Sequence, residues 1–247
     1  MTKHNFYDGD GLFEEFSKIR SNEVNFNDMV ETPILLKMLP DLAGKSVIDI
    51  GCGMGQHAKQ YAESGAKSVL GIDISDKMLS VAKEKYCSDN IEYKRLAMED
   101  ISEINDTFDI VTSSLAFDYV KDFDKLMADI YQIMHEGSEF IFSTSHPIVT
   151  AYDQTYPRWT RNESGDKIYA NLYQYFVEGG KQFPWGGDDI ITYHRTVASM
   201  INSIIKAGFT LIECQESLAD AELRERYPEV FAGTIHRPDF IFFKCVK

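Results

Sequence analysis

The chain has 247 residues, 44% of them hydrophobic, enough for one large α/β domain or one domain with a modest insertion. Its 39 acidic residues outnumber 25 basic ones, and a formal net charge of −14 repels phosphate and argues against a nucleic-acid binder. The apolar runs are too short to span a bilayer, no apolar leader stands at the start, and Cys52, Cys87, Cys214 and Cys245 are too scattered for a Cys-x-x-Cys site, so the expectation is a cytoplasmic protein with reduced thiols, no membrane partner and no metal.

In chain order, residues 12–21 and 31–39 read as two N-terminal helices, the second with Pro33 in its first turn. Pro40 and Gly44 break the chain before a short apolar strand, which ends in a turn carrying Gly51, Gly53 and Gly55. Residues 56–64 read as a helix, 68–72 as a strand closed by Asp73, and 76–86 as a helix capped by Ser75. Strands follow at 91–96 and 108–113. Residues 122–134 form an amphipathic helix with Phe123, Leu126, Met127, Ile130 and Ile133 on one face, and 139–145 form a fifth strand. After an irregular stretch, a helix at 197–206 ends at Gly208, and the last strands lie at 210–217 and 240–246. Strands alternating with helices predict a mostly parallel sheet covered on both faces.

The strand, glycine turn, helix and acid-tipped strand of residues 47–73 make a nucleotide cradle. Glycine lets the backbone turn sharply and approach a ligand, and the Asp73 carboxylate can accept both hydroxyls of a ribose. The spacing is G-x-G-x-G rather than the dinucleotide fingerprint G-x-G-x-x-G, and Asp49 stands two residues before the first glycine. That acid suits a ligand with a cationic end, such as the ammonium or sulfonium of S-adenosylmethionine (SAM), better than a pyrophosphate. Cys52, inside the turn, is expected near the ligand.

With the runs at residues 47–55, 71–75 with Met78 and Leu79, 97–100 and 108–116, the chain resembles the class I SAM-dependent methyltransferases. It is most similar to their small-molecule branch, which includes ubiquinone/menaquinone-biosynthesis and sterol-type enzymes. That likeness covers residues 42–145, and the flanks at 5–39 and 192–247 resemble a bacterial subgroup of uncharacterised methyltransferases. The resemblance implies a Rossmann-like, doubly wound α/β fold, mostly parallel with an antiparallel last strand. It implies one domain over 1–247, divided into an N-terminal helical cap (1–41), a SAM-binding core (42–147), an inserted acceptor lid (148–193) and a C-terminal helix and strands (194–247). The product would be S-adenosylhomocysteine (SAH). The adenosine is expected over Asp73, with Ile74 and Met78 against the adenine and Ala97, Met98 and Glu99 binding its edge, Asp100 being the competitor for the exocyclic amine. The methionine end is expected over Asp49 and the glycine turn, beside Gln56 and His57, with Ser114, Leu115 and Tyr119 completing the cofactor set.

After the fourth strand, Ser113, Ser114 and Leu115 stand where base and glutamine methylases carry an Asn/Asp-Pro-Pro-aromatic motif, which argues against planar amide or amine acceptors. Small-molecule relatives often place a histidine where Asp118 stands, so a catalytic histidine there is impossible and Asp118 is a base candidate or a surface acid. His146, directly after the fifth strand, and His194 are the other catalytic candidates, with a structural role open for each. The roughly 45 residues at 148–193 are too long for an ordinary connection and hold both tryptophans, which suggests a mobile aromatic lid or, alternatively, an added hairpin layer. The expected acceptor pocket comprises Tyr152, Trp159, Tyr173, Trp185 and Arg195 with Tyr7, Phe16 and Arg20, the last three also expected to fold over SAM. The expected acceptor is a neutral or cationic small molecule, and the protein a monomer or homodimer. Two other functions stay open: a non-catalytic SAM-binding regulatory module and a nicotinamide-dependent oxidoreductase.

Overall fold

The computed structural model describes residues 5–152, 155–185 and 188–247. The β-branched and aromatic runs form the strands, and the order along the main sheet is β10-β11-β5-β4-β1-β2-β3. These strands are β1 (Ser46–Ile50), β2 (Ser68–Asp73), β3 (Ile91–Arg95), β4 (Phe108–Ser114), β5 (Met134–Ser145), β10 (Thr210–Glu216) and β11 (Phe240–Val246). Strand β11 is antiparallel to both of its neighbours, and the other pairings are parallel. This is the expected doubly wound fold with its reversed last strand. The chain runs from β1 outward to β3 and returns on the other side with β4, so a crevice opens where β1 and β4 end.

Period-two alternation gives the sheet two apolar faces. Ile48, Ile50, Phe140, Phe142 and Phe243 point to one, covered by α5 (Phe123–Gln132) and α7 (Val197–Ala207). Phe142 stacks on Phe140 and Phe243 at 4.8 and 5.1 Å between ring centroids. Val47, Ile110, Ile141 and Phe242 point to the other, under α2 (Thr32–Met38), α3 (Gln56–Glu63) and α4 (Asp76–Lys85). The first helix, α1 (Asp10–Ser21), precedes a π-helical stretch at Asn27–Glu31.

After β5 the chain makes a short helix, α6 (Pro147–Thr150), then two hairpins, β6 (Trp159–Arg161) with β7 (Lys167–Ala170) and β8 (Gly179–Trp185) with β9 (Asp188–His194). The alternating sequence at residues 167–177 is compatible with strand pairing, yet only its first four residues form a strand. Sequence periodicity missed α8 (Ala221–Arg226) and α9 (Pro228–Phe231), which are too short for a helical pattern to register. Among the described residues no helix is long and apolar enough to cross a membrane.

Candidate active site

The glycine turn is fixed by backbone bonds before any ligand arrives. The N–H groups of Gly51 and Cys52 donate to the carbonyl of Ile72 at 2.8 and 2.9 Å, tying the end of β1 to β2. Gly51 has φ +72°, and a Cβ there would lie 2.4 Å from the Cβ of Ala116. At Gly55, with φ +87°, a Cβ would meet the Tyr93 hydroxyl at 2.5 Å. Only glycine fits either position.

Asp73, at the tip of β2, accepts from the N–H of Gly53 (2.9 Å) with one oxygen and from the N–H of Ser75 (2.8 Å) with the other. Each oxygen retains acceptor capacity for a ligand hydroxyl. Ser75 caps α4 through Met78 N and donates its hydroxyl to Asp8 at 2.7 Å, which docks the N-terminal segment onto the site. The Tyr7 ring packs edge-on against Phe16 and Tyr119.

These elements enclose a cavity of about 1020 Å³ including its mouth. Of the expected cofactor residues, Asp49, Gly51, Cys52, Gly53, Gln56, His57, Asp73, Ile74, Met78, Met98, Glu99, Ser114, Leu115 and Tyr119 line it. Gly55 and Ala97 do not; Gly55 instead forms the N-cap of α3 beneath Tyr93. Tyr7, Phe16 and Arg20, expected around the acceptor as well as over SAM, line this same cavity, and Asp100 does not.

One end of the cavity is a pole of unsatisfied charge. Asp49 is 1% exposed, on the sheet face covered by α2 and α3, and its Oδ2 has no partner among the described residues. Burial, reinforced by the charges of Asp73 and Glu31, pushes its carboxyl up to about 7. Arg20 contacts Asp28 at 2.9 Å, while its buried Nε has no partner among the described residues. His57 is held neutral by burial and by Arg20, its pKa drawn down to about 4. An ammonium beside Asp49 and a carboxylate beside Arg20 would satisfy both orphans, which is the donor set that the amino-acid end of SAM presents. At the opposite end Ile74, Met78, Leu96 and Met98 offer apolar surface for a flat ring, with Glu99 at the edge.

Two features, one behind the cavity wall and one in it, were invisible in the sequence. Glu31 is fully buried and accepts from the hydroxyls of Ser143 (2.5 Å), Ser114 (2.9 Å) and Thr32 (3.2 Å); burial raises its pKa against these bonds. Leu115 has φ +52°, a left-handed conformation that costs a non-glycine residue about 1–3 kcal/mol and is stored in the cavity wall. Asn27, Met54, Leu96 and Ala116 also line the cavity without having been singled out.

Beyond Tyr119 lies a second cavity of about 750 Å³. Its walls include Asp118, Tyr119, Ser145, Tyr152, Arg158 and Lys181. Tyr119 lines both cavities. Asp118 is 8% exposed and accepts from Thr144 Oγ1 (2.8 Å) and from Ser145 Oγ and N (2.7 and 3.2 Å).

The other expected residues lie elsewhere. His146 lines neither cavity: it is 2% exposed, its Nδ1 accepts from Ile148 N to cap α6, and its Nε2 bonds Glu216 at 2.9 Å. His194 is fully buried between the Thr150 hydroxyl (2.7 Å) and the carbonyl of Tyr175 (2.8 Å). Arg195 donates to the carbonyls of Phe117, Val120 and Tyr193, and so holds the turn after β4 in place instead of reaching an acceptor. Trp159 packs against Lys167 of β7 (4.9 Å) and Arg237 of the C-terminal segment (4.5 Å). Tyr173 stacks on Tyr156 at 4.4 Å, away from both cavities, and the side chain of Trp185 lies outside the described residues. No described residue of 148–193 lines the first cavity, and Tyr169 and Phe176 are 65% and 87% exposed. The insertion walls the second cavity with a mixed set, Val149, Thr150, Tyr152, Arg158, Lys181, Gln182, Ile190 and Thr192, in which Tyr152 is the one ring where an aromatic cover was expected.

Comparison with known proteins agrees with this geometry. Residues 48–142 match the methyltransferase domain family. An uncharacterised protein of Haemophilus influenzae is 35% identical, over 99% of this chain and 98% of its own length. A demethylmenaquinone methyltransferase of Lactococcus lactis is 27% identical over 73% of this chain and 72% of its own. The crystal structure of a SAM-dependent methyltransferase from Mesorhizobium loti superposes with a TM-score of 0.80 at 33% identity, covering 88% of this chain and 97% of that one. With identity of about one third along nearly the whole of such relatives, and with their fold intact, this chain belongs to the SAM-dependent methyltransferases and uses SAM as its cofactor.

Proposed function

We propose that the protein methylates a small molecule bound in the second cavity, with SAM in the first. The observation that carries this reading is the shared wall: Tyr119 lines both cavities, so a ligand in one adjoins a ligand in the other. When bound, SAM supplies an electrophilic methyl group, and its thioether is the leaving group.

In this reading Asp73 holds the ribose hydroxyls, Glu99 the adenine amine, Asp49 the cationic end and Arg20 the carboxylate. The protein must then hold the acceptor's nucleophilic atom about 3–3.5 Å from the methyl carbon and exclude water. Asp118 is the residue assigned to take a proton where the acceptor must lose one. Three hydrogen bonds occupy its carboxylate, which leaves about one acceptor position open toward the cavity. Tyr119 is unsuited to that task, since burial lifts its hydroxyl to about 12 and keeps it protonated at neutral pH.

Val149→Trp, which fills the second cavity without touching the first, tests the assignment. The expected result is undiminished SAM affinity with methyl transfer lost. Undiminished transfer places the acceptor elsewhere. Normal SAM binding with no transfer to any small-molecule fraction, even in the unaltered protein, favours a SAM-binding regulatory module.

A further inference from the structure

We propose that the acceptor carries an anionic oxygen-acid group, a carboxylate or a phosphate, seated between Arg158 and Lys181 at the insertion side of the second cavity; this rests on the reading of that cavity as the acceptor site. The chain's net charge of −14 makes local positive charge the exception. Yet two cations line this one cavity, Arg158 from the segment leading into β6 and Lys181 from β8. Both side chains are half-buried.

The setting of each suits an anion. The Arg158 guanidinium lies over the Tyr152 ring at 4.0 Å. A guanidinium stacked in this way keeps its edge donors in one plane, the geometry that matches carboxylate or phosphate oxygens. Lys181 makes no ion pair with any described residue. Arg237 and Lys167 both lie over the Trp159 ring behind Arg158, and Asp239 bonds Arg237 at 3.3 Å while sitting in the fields of Arg237, Lys167 and Arg158 together. Among the described residues, three cations thus act on this one carboxylate.

The cavity's own carboxylate, Asp118, sits on a different element, the turn after β4, beside Tyr119. Its hydrogen bonds run to Thr144 and Ser145, not to either cation. The cavity therefore has two poles: cations from the insertion, and Asp118 with Tyr119 at the wall shared with the cofactor cavity. An acceptor anchored by its anion at the first would present its far end at the second. This replaces the neutral or cationic acceptor expected from net charge, because the charge that faces the ligand is local and opposite in sign to the total.

The test titrates the SAH-loaded protein with benzoate, phenyl phosphate, benzyl alcohol and benzylamine by calorimetry. The anions are expected to bind at least about tenfold tighter than the alcohol or the amine, and Arg158→Gln and Lys181→Gln each to weaken them by about tenfold, the scale of one charge-assisted hydrogen bond, while SAH affinity holds. Phenyl phosphate binding tighter than benzoate assigns a phosphate, and the reverse a carboxylate. Tighter binding of the amine, or anion binding unchanged in both variants, overturns the proposal. Methyl transfer to a metabolite extract separates the two readings. If Val149→Trp abolishes transfer while both Gln variants keep the acceptor KM, the cavity assignment stands and the anion proposal falls. If Val149→Trp leaves transfer intact, both fall.

Discussion

The hydroxyls of Tyr7 and Tyr119 lie 2.7 Å apart, although the residues are 112 positions apart in the chain. Tyr7 belongs to the N-terminal segment and lines the first cavity, and Tyr119 lines both cavities. This bond joins the cap to the core, and both groups are held in the protonated form by burial. Tyr119→Phe keeps the ring and deletes the bond. The expected outcome is faster hydrogen exchange over residues 5–21 and SAM affinity lower by about 1 kcal/mol, the net worth of one such bond. Unchanged exchange would show that the segment's other contacts, those of Asp8 and Asn5 and the aromatic packing among them, suffice to hold it.

Asp49 should trade stability for binding. Its folded pKa of about 7 lies above the ordinary 3.8, so between those values the native state binds more protons than the unfolded chain. Stability from this group is full below about pH 4 and is lost as pH rises through about 7. His57 has the opposite sign, its depressed pKa costing stability as pH falls from 6.5 toward about 4, so the Asp49 share is best read from the variant. Asp49→Asn is expected to raise the Tm of the ligand-free protein at pH 8 and to weaken SAM. A cationic ligand favours the ionised carboxylate, so SAM affinity in the unaltered protein should rise with pH through about 7 and this component should vanish in Asp49→Asn. Calorimetry at pH 6 and 8 checks both statements; a pH-independent affinity in the unaltered protein contradicts them.

Asp73→Ala removes two bonds to the cradle backbone as well as the acceptor assigned to the ribose. SAM affinity is expected to fall by about 1–3 kcal/mol, with a smaller loss of Tm than a core truncation gives. Equal affinity in the variant, measured by calorimetry, removes Asp73 from the site.

His146 is expected to matter for folding rather than turnover. Burial lowers its pKa even though Glu216 opposes the shift, so the ring is stable when neutral and its contribution is lost as pH falls below the ordinary 6.5. His146→Ala strips the cap from Ile148 and the bond to Glu216, and should cost about 1–3 kcal/mol of stability with kcat within a few-fold of normal. Loss of turnover at full SAM affinity and normal Tm would return this histidine to the catalytic list.

Legibility followed the range of the interactions. The glycine turn, Asp49 and Asp73 could be placed because a strand, a turn and a strand dictate them within about 25 consecutive residues. Glu31 was read only as a helix start, since what buries it are Ser114 and Ser143, more than 80 residues away. Leu115 carries no sequence mark of its left-handed backbone. His146 and Arg195 were placed correctly along the chain but not in space. Being next to the end of β5 or β9 says nothing of which way a side chain turns, and both turn into hydrogen bonds with neighbouring backbone or β10. The insertion's aromatic content pointed to a cover, whereas hairpin pairing spends several of those rings on each other or on solvent.

The most direct test follows labelled methyl from SAM into a metabolite extract and into RNA, DNA and protein in parallel. The account predicts label in a small-molecule fraction, abolished by Val149→Trp and sharply reduced by Asp73→Ala. Label confined to a macromolecular fraction, or small-molecule label indifferent to Val149→Trp, would contradict it.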